Sequence, residues 1–190
     1  GPAAPLINTI TIEGVIDPAM ADYLNRGIAQ AHENGAQCLV VLLDTPGGLG
    51  KSMDVMSKAM LNAPLPVVVY VSPAGAEAFS AGTFITLSAH FAIMHPNTAI
   101  GAAHPRELFS APMPEGADET AGQMKSQAEA VMEKVTNAYA VKIRTIASTH
   151  DRNADWAELA VRESATVEAA QALELNVIDS LQPSLDEVVQ

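Results

Sequence analysis

The chain has 190 residues, 48% hydrophobic and 17% charged, a composition that excludes a disordered polymer and fits one folded domain. A formal charge of −12 repels phosphate backbones and anionic headgroups, so no nucleic acid and no electrostatic docking to lipid is expected. One cysteine, Cys38, excludes an internal disulfide, and no apolar run reaches the length of a membrane span.

Gly1-Pro2 reads as a protease-cleavage scar, so residues 1–6 are expected to be disordered and targeting segments to have been cut away. Ile7 to Glu13 alternates apolar and polar residues and predicts a strand. Asp17-Pro18 supplies an N-cap and a first-turn proline for a helix that runs to about Asn34-Gly35. Cys38–Leu43 and Val67–Val71 carry no charged residue and predict strands of a parallel sheet. Between them Ser52–Asn62 predicts a helix, ended by Pro64 and Pro66. Ala76–Ser88 reads as a helix rich in small residues, and Phe91–Met94 and Ala99–Gly101 as short strands. The stretch from Ala102 to about Glu119 reads as a long irregular loop of the functional kind. Helices follow over about Thr120–Thr149 and Ala154–Arg162. Thr166 opens a last helix, Val177–Asp179 is a closing strand and 182–190 a C-terminal tail. Strands alternating with helices predict an α/β layer structure, with one domain over 7–181.

Three segments carry chemistry. Asp44-Thr45-Pro46-Gly47-Gly48 follows a buried strand, and its two glycines let the backbone turn sharply and aim N–H groups at one point. Taken alone it is also an ordinary Pro-Gly turn. Ser80-Ala81-Gly82-Thr83 sets a serine among small residues. There it can attack a carbonyl while the Ala81 N–H holds the oxyanion, or merely cap a helix. A serine nucleophile needs a base. None of His32, His90, His95, His104 and His150 has a spacing that commits it. Among the five lysines, Lys134 and Lys142 lie within the long helix. A helical wheel puts Lys142 inside the apolar stripe of Val131, Val135, Ala138, Tyr139 and Ile146, with Lys134 at its border.

In order and spacing these segments resemble the NfeD family of membrane-associated proteases. The resemblance rests on Thr45-Pro-Gly-Gly48, Ser80-Ala-Gly-Thr83, Ile100-Gly-Ala-Ala-His-Pro105, Lys134-Val-Thr-Asn137, Arg152-Asn153 and Ala169 to Asp179. It covers the chain from Ile7 to about Leu181. It implies a ClpP/crotonase-like fold of repeated ββα and βαβ units and a Ser–Lys dyad of Ser80 and Lys134, overriding the wheel. It also implies oxyanion donors from Gly47 or Gly48 with Ala81, and a substrate cleft reaching Thr45, Pro46, Gly82 and His104. No cofactor and no metal are implied. The implied substrate is a hydrophobic segment of a stomatin-like membrane protein, and the implied state a homodimer or higher homo-oligomer. The implied location is membrane-associated, on the extracytoplasmic side, and the irregular stretch corresponds to the family's substrate loop; its part around Glu107–Glu119 is expected to close over the substrate. Glu77 and Phe79 depart from the family pattern, and an acidic group near Lys134 would suppress it as a base. Two rival readings are a non-catalytic domain that binds stomatin-like proteins and a crotonase-type acyl-CoA enzyme. The second lacks a basic cluster for the nucleotide phosphates.

Overall fold

The computed structural model describes residues 5–105 and 119–190. Most of the expected substrate loop, 106–118, lies outside the described residues, as do residues 1–4. β1 (Ile7–Glu13), β2 (Cys38–Asp44), β3 (Val67–Val71), β5 (Phe91–Met94) and β8 (Ser180–Leu181) form one sheet in that order, every pair parallel. A second, smaller sheet joins β4 (Glu77–Phe79), β6 (Ala99–Gly101) and β7 (Thr166–Glu168). The helices are α1 (Pro18–Glu33), α2 (Gly50–Leu61), α3 (Ala81–Ser88), α4 (Glu119–Thr149), α5 (Ala154–Arg162), α6 (Ala169–Glu174) and α7 (Leu185–Val188). The chain therefore repeats a ββα unit. β3, β4 and α3 make one and β5, β6 and α4 the next, the first strand of each in the large sheet and the second in the small one.

Alternation along the strands explains how the large sheet is covered. Leu39, Val41, Leu43, Val67, Val69 and Val71 face the helices and the main core. Val40, Val68, Tyr70 and Ile93 face the other way, where Leu185 and Val188 of α7 pack on them. The Tyr70 hydroxyl donates to the Gln182 carbonyl at 2.6 Å. The stretch read as a tail thus covers one face of the sheet. Cys38 is half-buried at the edge of that second cluster, and burial pushes its thiol up from the ordinary range.

Three elements differ from the sequence reading. Ala76–Ser88 is not one helix, because Glu77–Phe79 pairs with β6 and the helix begins only after Ser80. Thr166–Glu168 is a strand antiparallel to β6 before α6 begins. The closing strand is Ser180–Leu181, since Val177 and Ile178 turn into the core and Asp179 uses its carboxylate to accept from Ala92 N at 2.7 Å.

Arg152 locks this end of the molecule. It is 5% exposed, and its guanidinium donates to the carbonyls of Leu87, Ala89 and His90 and to Asp179 Oδ2 at 2.6 Å. Replacing it by methionine removes the guanidinium donor from those carbonyls and leaves the Asp179 carboxylate with Ala92 N but no cation. The expected loss is about 3–5 kcal/mol, read from the urea midpoint at constant slope. Nearby, His150 Nε2 is buried with no hydrogen-bond partner among the described residues. Burial, then the charges of Arg152 and His90, hold its imidazole below the ordinary 6.5. The unfolded chain takes a proton that the folded chain refuses. Its contribution to stability is therefore complete above that value and is lost as the pH falls through it. Between about pH 8 and pH 5, wild type is expected to lose more thermal stability than His150→Gln.

Candidate active site

The site forms where the two sheets meet. Beyond β2, Thr45 bridges to Ala78 of β4, with Thr45 N donating to Glu77 O at 2.8 Å and Phe79 N to Thr45 O at 3.1 Å. Asp44 Oδ1 accepts from Glu77 N at 3.0 Å. These bonds carry β4 alongside the Pro46-Gly47-Gly48 turn and deliver Ser80 to it.

Ser80 occupies the joint between β4 and α3 with φ +54° and ψ −116°. A residue with a side chain adopts such a backbone only when its surroundings impose it, and such turns recur at nucleophiles. Its N–H donates to Gly101 O at 3.0 Å, and its carbonyl accepts from Thr83 N at 3.0 Å. The Thr83 hydroxyl lies 3.0 Å from Ala78 O and 2.8 Å from Gly101 O, closing the joint from below. Ser80 Oγ is half-buried and makes no hydrogen bond among the described residues.

Gly47 lies directly against it. With φ +125°, a Cβ at Gly47 would sit 2.7 Å from Ser80 Cβ and 3.1 Å from Ser80 Oγ. Its N–H donates to Thr45 Oγ1 at 3.1 Å and its carbonyl accepts from Ile16 N at 2.9 Å. Gly48 has neither its N–H nor its C=O paired among the described residues. Of the two glycines, Gly48 therefore keeps a free donor. Ala81 stands at the first turn of α3, where N–H groups have no intrahelical acceptor.

The other residues expected in the cleft divide. Pro46 is exposed at its rim. Thr45 is fully buried, and a Cβ at Gly82 would meet Thr45 Cγ2 at 2.7 Å, so both sit beneath the site and brace it without facing a substrate. His104 points to α5, where Nδ1 lies 2.8 Å from Val161 O. The other histidines are also placed elsewhere. His90 Nδ1 accepts from Val67 N and His95 Nδ1 from Asn97 N. His150 lies beside His90, and His32 closes α1.

Lys142 Nζ is committed to Asp54 Oδ1 of α2 at 2.5 Å and lies over the Tyr139 ring. Lys134 is exposed on α4, with no ion pair among the described residues. It is turned about 140° around the helix from Tyr139. Glu77 and Phe79 line a separate cavity of about 280 Å³ with Asn97 and Glu168, and no α4 residue is among its described lining. Sequence reasoning gave Tyr139 no role beyond the apolar stripe. Its hydroxyl fills the space that a Gly50 side chain would take, and its ring meets Phe84 edge-on at 5.6 Å. It thereby fixes α4 against both halves of the site. Among the described residues no group of three potential metal ligands gathers anywhere.

The N-terminal domain of the protein NfeD1b, as a family profile, matches residues 6–183. The chain belongs to that family. It is 31% identical over 188 residues, 99% of the chain, to membrane-bound protease PH1510 of Pyrococcus horikoshii, and spans 40% of that protein's length. It is 32% identical over 97 residues to membrane protein NfeD1b of Bacillus subtilis, covering 51% of the chain and 22% of that protein. Among solved structures, a serine-to-alanine mutant of the 1510-N membrane-bound stomatin-specific protease superposes with a TM-score of 0.83 at 28% identity. The match covers 98% of this chain and 84% of that one. A lysine-to-alanine mutant of the same protease, in complex with a substrate peptide, gives 0.82 at 28% identity over 98% and 79%. These matches establish the ClpP-like fold of this family member.

The NfeD-family site depends on the missing Cβ at position 47. Gly47→Ala is expected to remove any Ser80 reactivity while costing about 1–3 kcal/mol of stability from backbone strain. Gly35→Ala, also at positive φ but with nothing within 4 Å, is expected to cost stability without touching the site. Labelling by a serine-directed fluorophosphonate, beside a urea titration, separates the two.

Proposed function

We propose that this domain is a serine endopeptidase in which Ser80 is the nucleophile and Lys134 the general base, acting on hydrophobic segments of stomatin-like membrane proteins. The observation that carries the reading is the strained Ser80 joint pressed against Gly47, with the Gly48 and Ala81 N–H groups unpaired among the described residues. The likeness to a stomatin-specific protease with serine and lysine mutants, one in complex with a substrate peptide, supports the same chemistry and substrate class.

The mechanism follows from those groups. A peptide carbonyl settles on the Gly48 and Ala81 N–H groups. Lys134, deprotonated, takes the Ser80 proton as Oγ attacks the carbonyl carbon. The negative charge that develops on the carbonyl oxygen meets two donors already in place, which is where most of the rate is gained. The leaving amine takes the proton from Lys134, and water repeats the cycle on the acyl-enzyme. Lys134 stands in solvent in the described conformation. Substrate binding must therefore exclude water around its amine, since desolvation favours the neutral form that can take a proton.

The domain works at a membrane, on its extracytoplasmic side. No helix among the described residues is long and apolar enough to cross one, and both curated relatives carry membrane in their names. Every residue of α4 from Gly122 to Val131 is exposed, which gives a homodimer a helix surface to use.

The test is cleavage of a hydrophobic stomatin-tail peptide. Ser80→Ala and Lys134→Ala are each expected to lower kcat by about 10⁴-fold or more while remaining folded. Lys142→Ala is expected to lose only its surface ion pair, about 0–1 kcal/mol, and to cut within a few-fold of wild type. Turnover surviving in Ser80→Ala would assign the nucleophile elsewhere. A wild type that binds the tail but cuts nothing would make the domain a binding module.

A further inference from the structure

Gly50 opens α2 two residues after Gly48, and nothing in its own backbone calls for glycine. It is not one of the glycines at positive φ, and within a helix glycine is a poorer choice than alanine. What excludes a side chain is Tyr139 of α4. A Cβ at Gly50 would overlap the Tyr139 hydroxyl oxygen, while Cζ behind it lies at an ordinary 3.6 Å. Apart from the chain neighbours and helix of Gly50, Tyr139 alone among the described residues comes within 4 Å of that position.

This seat joins three elements of the site. α2 leaves the glycine turn, whose place is fixed by the bridge from Ile16 to Gly48. α3 leaves Ser80, and its buried Phe84, one turn on, meets the Tyr139 ring edge-on at 5.6 Å. α4 carries Lys134 five residues before Tyr139, about 7.5 Å along the helix axis. One side chain therefore sets where α4 stands against both the glycine turn and the serine helix. A second tie between α2 and α4, from Lys142 to Asp54, is a partly exposed ion pair and holds weakly.

We infer that Gly50 and Tyr139 are a matched pair, the hydroxyl standing where a side chain would be, through which Tyr139 acts as a positioning residue for Lys134. This rests on the peptidase reading, in which Lys134 is the base. The lysine side chain is long, but the place of its Cα is set by the helix that carries it. A displacement at Tyr139 is carried along α4 to Lys134. Misplacing a reacting group by about 1 Å costs up to about a hundredfold in rate. Tyr139 thus acts through the helix and not on the reacting atoms.

The test is a double-mutant cycle that reads kcat and KM on the hydrophobic stomatin-tail peptide, with the urea midpoint of each variant beside them. Gly50→Ala pushes the hydroxyl out of its seat and is expected to lower kcat about tenfold or more while KM stays within about twofold. Tyr139→Phe removes the hydroxyl and keeps the ring, so an alanine methyl at position 50 meets only Cζ. Added to Gly50→Ala, it is expected to bring kcat back to within about threefold of the Tyr139→Phe single variant. In a Lys134→Ala chain, followed by fluorophosphonate labelling of Ser80, Gly50→Ala is expected to cost nothing further, because the group it acts through is gone. A lower urea midpoint with kcat of the folded protein unchanged would make the contact structural only and overturn the inference. So would a loss in Gly50→Ala that Tyr139→Phe does not repair, or one that persists undiminished in the Lys134→Ala chain. A wild type that neither cuts nor takes the label ends the peptidase reading and this role with it. A reactive wild type beside an equally reactive Gly50→Ala ends this inference alone.

Discussion

The approach of Gly47 to Ser80 is the constraint on which the site depends. Two backbones come closer there than a methyl group allows. The approach is enforced from beneath, by buried Thr45 bridging to Ala78 and bonding back to the Gly47 N–H. Any relaxation of that buried layer would part the serine from the glycine turn. Thr45 and Gly82, which look like cleft residues in the sequence, are better understood as the bracket that holds the cleft closed from below. Their mutual contact, with Thr45 Cγ2 in the space of a Gly82 side chain, also explains why position 82 is small. The geometry of the candidate site is thus a property of packing between two sheets, and Ser80 and the glycine turn are carried on it.

The second constraint is the seat of α4. From Ala140 to Ala147 its inward residues are core, and from Gly122 to Val131 all are exposed. The change falls at Tyr139, where the helix leans on Gly50 and Phe84 and where Lys142 reaches Asp54. Lys134 lies beyond that fulcrum, on the unpacked side. Under the proposed peptidase reading, a base placed there is free to move without cost to the core.

Much of the fold was legible because burial writes itself into strands. β1, β2, β3, β5 and β6 all lie where apolar or alternating runs place them. β4 and β7 were not legible. Each has three residues, and each is held by pairing with β6, a contact remote in sequence. Ala76 to Ser88 carries small residues with no clear period, so nothing local marks the break at Ser80. The helical wheel favoured Lys142 because it assumed that the whole apolar stripe of α4 faces the core. Val131, 43% exposed, and Ala138 do not, since they point to solvent while Val135 and Tyr139 turn inward. The glycine turn and the serine motif were visible as patterns. Which glycine keeps a free N–H was not, because it is decided by a local turn in which the Thr45 hydroxyl accepts from Gly47 N two residues on.

The candidate site and the Arg152 anchor occupy opposite ends of α3. α3 and α4 finish near Arg152, whose guanidinium gathers the carbonyls at the end of α3 and ties them to Asp179. A cation suits that place, because a helix C-terminus presents partial negative charge and unpaired carbonyls. The N-terminal end of α3 needs the reverse. Its open N–H groups suit a developing anion, and Ser80 stands there with no capping bond of its own. One helix of eight residues therefore supplies an anchoring site at one end and an anion site at the other. Because the guanidinium is buried and fully engaged, the anchored end resists opening. Strain at Ser80 is tolerated at the far end of α3 because the core beneath it is secured elsewhere.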